Sequence, residues 1–146
     1  MRTWTATTTA EAAPDAVLGV LVDPAAMRDW APVDFDVEHL DGARLAAGAR
    51  ARVSGRLAGR RVAFDVAVHE ADAGAGRLRL SAAGPVAFDV AYDLAEVAGG
   101  SEVRASVSVR PGPGLTGRVV ASATAALLSA GALDSAVARI ARAAAV

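Results

Sequence analysis

The sequence contains no cysteine. That one absence removes disulfides, thiolate nucleophiles and thiolate metal sites together, and it suits a reducing compartment. Lysine is missing as well: all 15 basic residues are arginine, set against 16 acids, for a net charge of -1. A near-balance of this kind supplies no field to draw in polyanions, so nucleic acid is excluded as a partner. Aromatic residues make up only 4% of a chain that is 53% hydrophobic, because alanine dominates the apolar fraction. Side chains bulky enough to fill an interior are therefore scarce. Long hydrophobic runs are lacking too: the longest uncharged stretch, Val119 to Leu133, is shorter than the ~20 apolar residues a bilayer crossing needs. No membrane span is expected. The opening MRTWTATTTA has no apolar signal core, which leads to a cytoplasmic expectation.

What is present is mostly alternation. Thr3 to Ala10 sets Trp4, Ala6, Thr8 and Ala10 against threonines, the pattern of a first strand. Pro14 and Asp15 suit the first turn of a helix carrying Val17, Leu18 and Leu21, and Asp23-Pro24 ends it and opens a second, short helix through Trp30. From Val33 to Arg110 the period is two, predicting six further strands near 33–41, 49–57, 61–71, 77–83, 86–97 and 102–110. Gly- and Pro-containing breaks separate them, including Ala58-Gly59, Gly84-Pro85 and Gly99-Gly100, all suited to tight antiparallel connections. After Pro111-Gly112-Pro113-Gly114 no proline interrupts the chain, and Leu115 to Ala145 reads as one long helix. Its apolar stripe is Val119, Ala123, Ala126, Ala130, Leu133, Val137 and Ile140, which puts methyl groups at the centre. The chain reads as a single domain over residues 1–146.

Every strand has one oily side. VAFDVAVH at 62–69 nearly repeats as VAFDVAYD at 86–93: Val62, Phe64, Val66 and Val68 share a face, as do Phe88, Val90, Tyr92 and Leu94, with Asp65, His69, Asp89 and Asp93 opposite. Val53 and Leu57 oppose Arg50, Arg52 and Arg56, and Leu78 and Leu80 oppose Arg77 and Arg79. A two-residue turn at Ala58-Gly59 pairs Arg52 with Asp65 and Val53 with Phe64; one at Gly99-Gly100 pairs Asp89 with Arg110 and Tyr92 with Val107. The repeat is thus one physical demand met twice, aspartate outward to an arginine ladder and Phe and Val inward.

The order of strand, two helices, six strands and a terminal helix resembles the START/Bet v 1-like superfamily, also called SRPBCC or polyketide cyclase/dehydrase-like, over nearly the whole chain. The matching residues are Ala13-Pro14-Asp15-Ala16-Val17, Asp23-Pro24 followed by Trp30-Ala31-Pro32, Gly84-Pro85, Ala98-Gly99-Gly100-Ser101-Glu102-Val103 and Pro111-Gly112. The resemblance implies an α+β helix-grip fold, a seven-stranded antiparallel sheet wrapped around a long C-terminal helix, with a cavity between them for a small hydrophobic or lipid-like molecule. The expected lining is Trp30, Val53, Leu57, Phe64, Val66, Phe88, Val90, Tyr92, Ala123 and Leu127. Aromatase/cyclase-like members carry polar residues on the strand after the Ala58-Gly59 hairpin, where this chain has Val66 and Val68. That departure weighs against catalysis, and no metal or cofactor is expected.

Among polar residues, Tyr92 is the inward candidate, able to orient a ligand or act as a weak acid, or simply to be a core tyrosine reaching a backbone carbonyl. His39 shares a strand face with Phe35 and Val37, either at the cavity mouth or on its rim. His69 lies with the outward aspartates, Asp34, Asp36 and Glu38 read as a solvated face, and Arg60-Arg61 reads as a solvated hairpin tip. Two alternatives to simple binding stay open: a cyclase or dehydrase using Tyr92 and pocket shape, and an interaction protein forming a homodimer through the terminal helix or an edge strand.

Overall fold

The period-two segments form one antiparallel sheet. The computed structural model describes residues 2–31, 35–57 and 59–145, with the Leu57 side chain outside that description. In chain order the elements are β1 (Arg2–Ala10), α1 (Pro14–Val22), α2 (Pro24–Trp30), β2 (Phe35–Leu40), β3 (Arg50–Leu57), β4 (Arg60–Asp72), β5 (Arg77–Ala83), β6 (Val86–Val97), β7 (Gly100–Pro111), α3 (Gly114–Ser129) and α4 (Ala132–Ala144). The strand order is β1-β7-β6-β5-β4-β3-β2, so each strand from β2 to β7 lies beside its chain neighbour and β1 closes onto β7. This is the α+β helix-grip architecture, with two short helices between the first and second strands. Of the predicted second strand, residues 33 and 34 lie outside the described residues.

The two short helices start as their sequences dictate. Pro14 and Pro24 each occupy the first turn, where a missing N–H costs nothing, and Asp15 adds negative charge there in α1. Asp23 caps α2, its carboxylate accepting from the Ala25 N–H at 3.0 Å.

The β3–β4 hairpin has the expected register, with Arg52 opposite Asp65 and Val53 opposite Phe64. The β6–β7 hairpin does not. Its pairing runs Val97 to Gly100, so the loop is Ala98-Gly99, Asp89 faces Ser108 and Tyr92 faces Ala105. The shift is two residues, which preserves both faces of the sheet. Asp89 still reaches Arg110, diagonally, at 3.0 Å. Gly100 explains the choice: a β-carbon there would collide with the Ala10 carbonyl at the end of β1, so the glycine is used for close approach to β1 and only Gly99 (φ 82°) is left to turn the chain. Along the outer face Arg52 pairs with Asp65 at 2.9 Å and Arg79 with Asp93 at 2.7 Å. Such exposed pairs contribute about 0 to 1 kcal/mol each and mainly secure register.

The terminal helix is two helices rather than one, bent by 60° between α3 and α4. Gly131, in the left-handed conformation at φ 95°, lies just past the end of α3, where the Ala130 N–H closes on the Ala126 carbonyl at 3.0 Å and the Gly131 N–H on the Leu128 carbonyl at 3.1 Å. The break also changes which side faces inward. In α4 the expected Leu133, Val137 and Ile140 are buried, but α3 buries Gly117, Val120 and Thr124, while Val119 and Ala123 are half-buried and Ala126 and Ala130 exposed. Among the described residues no single helix is long and apolar enough to cross a membrane.

Burial falls into two clusters. The larger joins Leu133, Val137 and Ile140 of α4 to Ala6 and Ala10 of β1, Val103 and Ala105 of β7, and Val17, Leu18 and Leu21 of α1. The smaller packs Val120 of α3 against Val62, Phe64 and Val86. The space between the middle of the sheet and the helix bend is not filled.

Candidate functional site

That unfilled space is a cavity of about 360 Å³, inside the ~300–1,000 Å³ range of small-molecule sites. The concave face of the sheet supplies its floor: Phe35 and Val37 from β2, Ala51 and Val53 from β3, Phe64 and Val66 from β4, Leu78 and Leu80 from β5, Phe88, Val90 and Tyr92 from β6, and Val107 from β7. The bent helix pair roofs it with Thr124, Leu127, Leu128, Leu133 and Ala136, and α1 and α2 close one side with Leu21, Met27 and Trp30. None of these side chains is charged. Alternation decides this, since it places Arg52, Asp65, Arg77, Arg79, Asp89, Asp93, Arg104 and Arg110 on the opposite face.

Of the ten residues expected at the lining, Trp30, Val53, Phe64, Val66, Phe88, Val90, Tyr92 and Leu127 border the cavity. The Leu57 side chain lies outside the described residues. Ala123 does not border it; the rotated phase of α3 turns Thr124 there instead. Several lining residues escaped the sequence reading although the signal for them was present. Leu78 and Leu80 alternate inward with the rest of the sheet, and Met27 stands one turn before Trp30 on α2. The contributions of Leu45, in the connection after β2, and of Ala132 follow only from the tertiary arrangement.

The cavity holds few polar atoms. The Thr124 hydroxyl donates to the Val120 carbonyl at 2.8 Å and is satisfied within its own helix. The Trp30 indole N–H is buried without a hydrogen-bond partner among the described residues; such groups are normally paired, and leaving one unpaired costs free energy. Tyr92 is 5% exposed, and no described residue hydrogen-bonds to its hydroxyl. Burial pushes its phenol well above its ordinary value. At neutral pH Tyr92 is therefore an uncharged hydrogen-bond donor facing the cavity.

Tyr92 is the chain's single tyrosine, so its titration can be read directly. Tyrosinate absorbance in the folded protein is expected only well above pH 10, the ordinary value. The sign follows from linkage: the folded phenol holds its proton where the unfolded one releases it, so this group's contribution is full below pH 10 and is lost as pH rises towards the folded value. An alkaline absorbance titration run beside circular dichroism checks this. An ordinary tyrosine titration in still-folded protein would show the ring to be wet.

The other candidates are not brought to the cavity. His39 is exposed, and its Nε2 lies 3.0 Å from Asp41 Oδ1. A bulge between Val37 and His39 breaks the alternation that would have aligned His39 with Phe35 and Val37. The His39 contact and the Arg50 N–H together hold the Asp41 carboxyl below its usual range. His69 contacts Ser81 Oγ at 2.8 Å on the outer face. Asp36 and Glu38 are exposed, and Asp34 lies outside the described residues. No group of residues able to hold a metal ion occurs among the described residues.

A family model described as polyketide cyclase / dehydrase and lipid transport matches residues 1–145. Among curated proteins none matches the sequence significantly. Solved structures share the fold at low identity. TTHA0849 from Thermus thermophilus superimposes with a TM-score of 0.74 at 16% identity, covering 98% of this chain and 97% of that one. CV1439 from Chromobacterium violaceum gives 0.71 at 17% identity, covering 97% and 96%. DynU16, a protein of the dynemicin biosynthetic locus, gives 0.60 at 24% identity, covering 96% of this chain and 46% of its own.

Proposed function

Because the chain belongs to the polyketide cyclase / dehydrase and lipid transport family, within the START/Bet v 1-like superfamily, we propose that it binds a small hydrophobic or lipid-like molecule in the cavity between the sheet and the bent helix pair. One observation carries the reading: in a chain short of bulky side chains, the uncharged face of every central strand is turned towards a space that the helices leave empty. Apolar surface left next to such a space has no partner atoms, and a hydrophobic guest supplies them. Taking ~30 Å³ for a group the size of a water molecule, the cavity suits a chain of about a dozen carbons or a compact ring system. The Tyr92 hydroxyl suits a guest with one hydrogen-bond acceptor within its apolar body.

Holding is favoured over transforming. Acid–base catalysis needs groups that gain and lose protons near the working pH. Tyr92 is the one titratable residue at the described lining, and burial moves it away from neutrality. Native mass spectrometry of protein isolated from its own host is expected to show a stoichiometric adduct that organic solvent removes. Protein of bare polypeptide mass, taking up no apolar probe afterwards, would end the proposal.

A further inference from the structure

A second cavity, of about 640 Å³, shares Phe35 with the first, and its chemistry is opposite. Its lining includes four arginines from four different elements: Arg28 of α2, Arg56 of β3, Arg61 of β4 and Arg139 of α4. Two aspartates, Asp29 and Asp36, also border it, so among the described residues arginines outnumber carboxylates by four to two. A smaller apolar space of about 210 Å³ has lining residues in common with both. It shares Val53, Phe64 and Phe88 with the apolar cavity, Ser54, Gly55 and Arg56 with the arginine-lined one, and Phe35 with both. Gly55 pairs directly with Phe35 across β2 and β3 and adds no side chain beside it.

The four arginines here are exposed and are handled differently from five others on the surface. Arg52, Arg77, Arg79, Arg104 and Arg110 each form an ion pair with a carboxylate. Among the described residues none of the four around the second cavity does. Arg61 only donates to Ser54 Oγ at 3.4 Å, and Arg139 to the Ala31 carbonyl at 3.5 Å. Arg56 and Arg61 are moreover direct cross-strand partners, and like charges in that position repel. A local rule broken without compensation inside the molecule points to something outside it. Guanidinium groups bind carboxylates and phosphates through paired, charge-assisted hydrogen bonds.

We propose that the ligand is an amphiphile with an anionic head, a carboxylate or a phosphate, which sits among Arg56, Arg61, Arg139 and Arg28 while its tail passes Phe35 into the apolar cavity. This rests on the reading of the apolar cavity as a ligand site and adds the chemical class of the guest. It also gives Arg61 a task that a solvated hairpin tip would not have.

The test is calorimetric titration of the full chain with three probes of one tail length below their micellar concentrations: dodecanol, dodecanoate and dodecyl phosphate. At least one anion is expected to bind about tenfold or more tightly than the alcohol, roughly the effect of one charged hydrogen bond. The better of the two anions identifies the head. In the Arg56→Gln/Arg61→Gln protein the advantage should disappear while dodecanol binds as before, an outcome that general damage to the fold would not give. Arg61→Glu is the companion variant: it places opposite charges across the hairpin, should keep or raise stability, and should also abolish the preference for the anion. Equal affinity for all three probes, or an anionic preference that survives in these variants, overturns the proposal and leaves the apolar site standing. If the wild type binds none of the three, the ligand-binding reading fails and this one with it.

Discussion

Replacing Val66 and Val90 together by phenylalanine is expected to abolish dodecanol binding, by about a hundredfold or more, at a stability cost below about 1 kcal/mol. Both valines are half-buried on the concave face, where they line the empty space while also packing against the larger cluster. In a close-packed interior each such enlargement would force side chains off their rotamers and cost about 1 to 3 kcal/mol. Beside a cavity of about 360 Å³ the added rings find room, and the apolar contacts they gain offset the strain. Loss of binding with stability retained separates a functional space from a packing flaw. Urea denaturation and calorimetry read the two quantities independently. A double variant that unfolds readily yet, where folded, binds as the wild type does would show that the guest sits elsewhere.

Ile140→Ala should cost far more, about 2 to 5 kcal/mol, lowering the Tm by about 5 to 20 °C for a domain near this size. Ile140 is fully buried in the cluster where α4 meets the sheet, so truncation removes methyl groups in full contact and leaves a void there. Leu80→Ala is the control. Leu80 is half-buried and already borders open space, so fewer contacts are lost and about 1 to 2 kcal/mol is expected. Thermal unfolding of both variants without ligand decides the matter. Equal losses would mean that the cavity closes around Leu80 in solution.

Most of the sheet was legible because strand alternation is a local property. Val62, Phe64, Val66 and Val68 could share a face in only one way, and Ala58-Gly59 left one short turn for the hairpin that follows from it. The β6–β7 register was not legible in the same manner. Two adjacent glycines allow two turns with identical facing, and the choice rests on Ala10, which is distant in sequence and meets Gly100 only in the folded chain. The helix break lay between. Gly131 after Ser129-Ala130 is a recognisable stop signal, but the apolar stripe continues across it, and the wrong phase for α3 brought in Ala123 instead of Thr124. His39 failed for a similar reason, since a bulge cancels alternation within one residue.

The sequence by itself therefore determined which side chains are oily and which side of each strand they occupy, because those follow from a two-residue period and the exclusion of charge from an interior. Only the tertiary structure decided which of those oily side chains touch one another and which face emptiness. That depends on how far a helix bent by 60° stands from the sheet, a distance set by contacts between residues far apart in the chain. The same holds for the arginines: four elements bring Arg28, Arg56, Arg61 and Arg139 around one space, and no spacing along the sequence could have announced it.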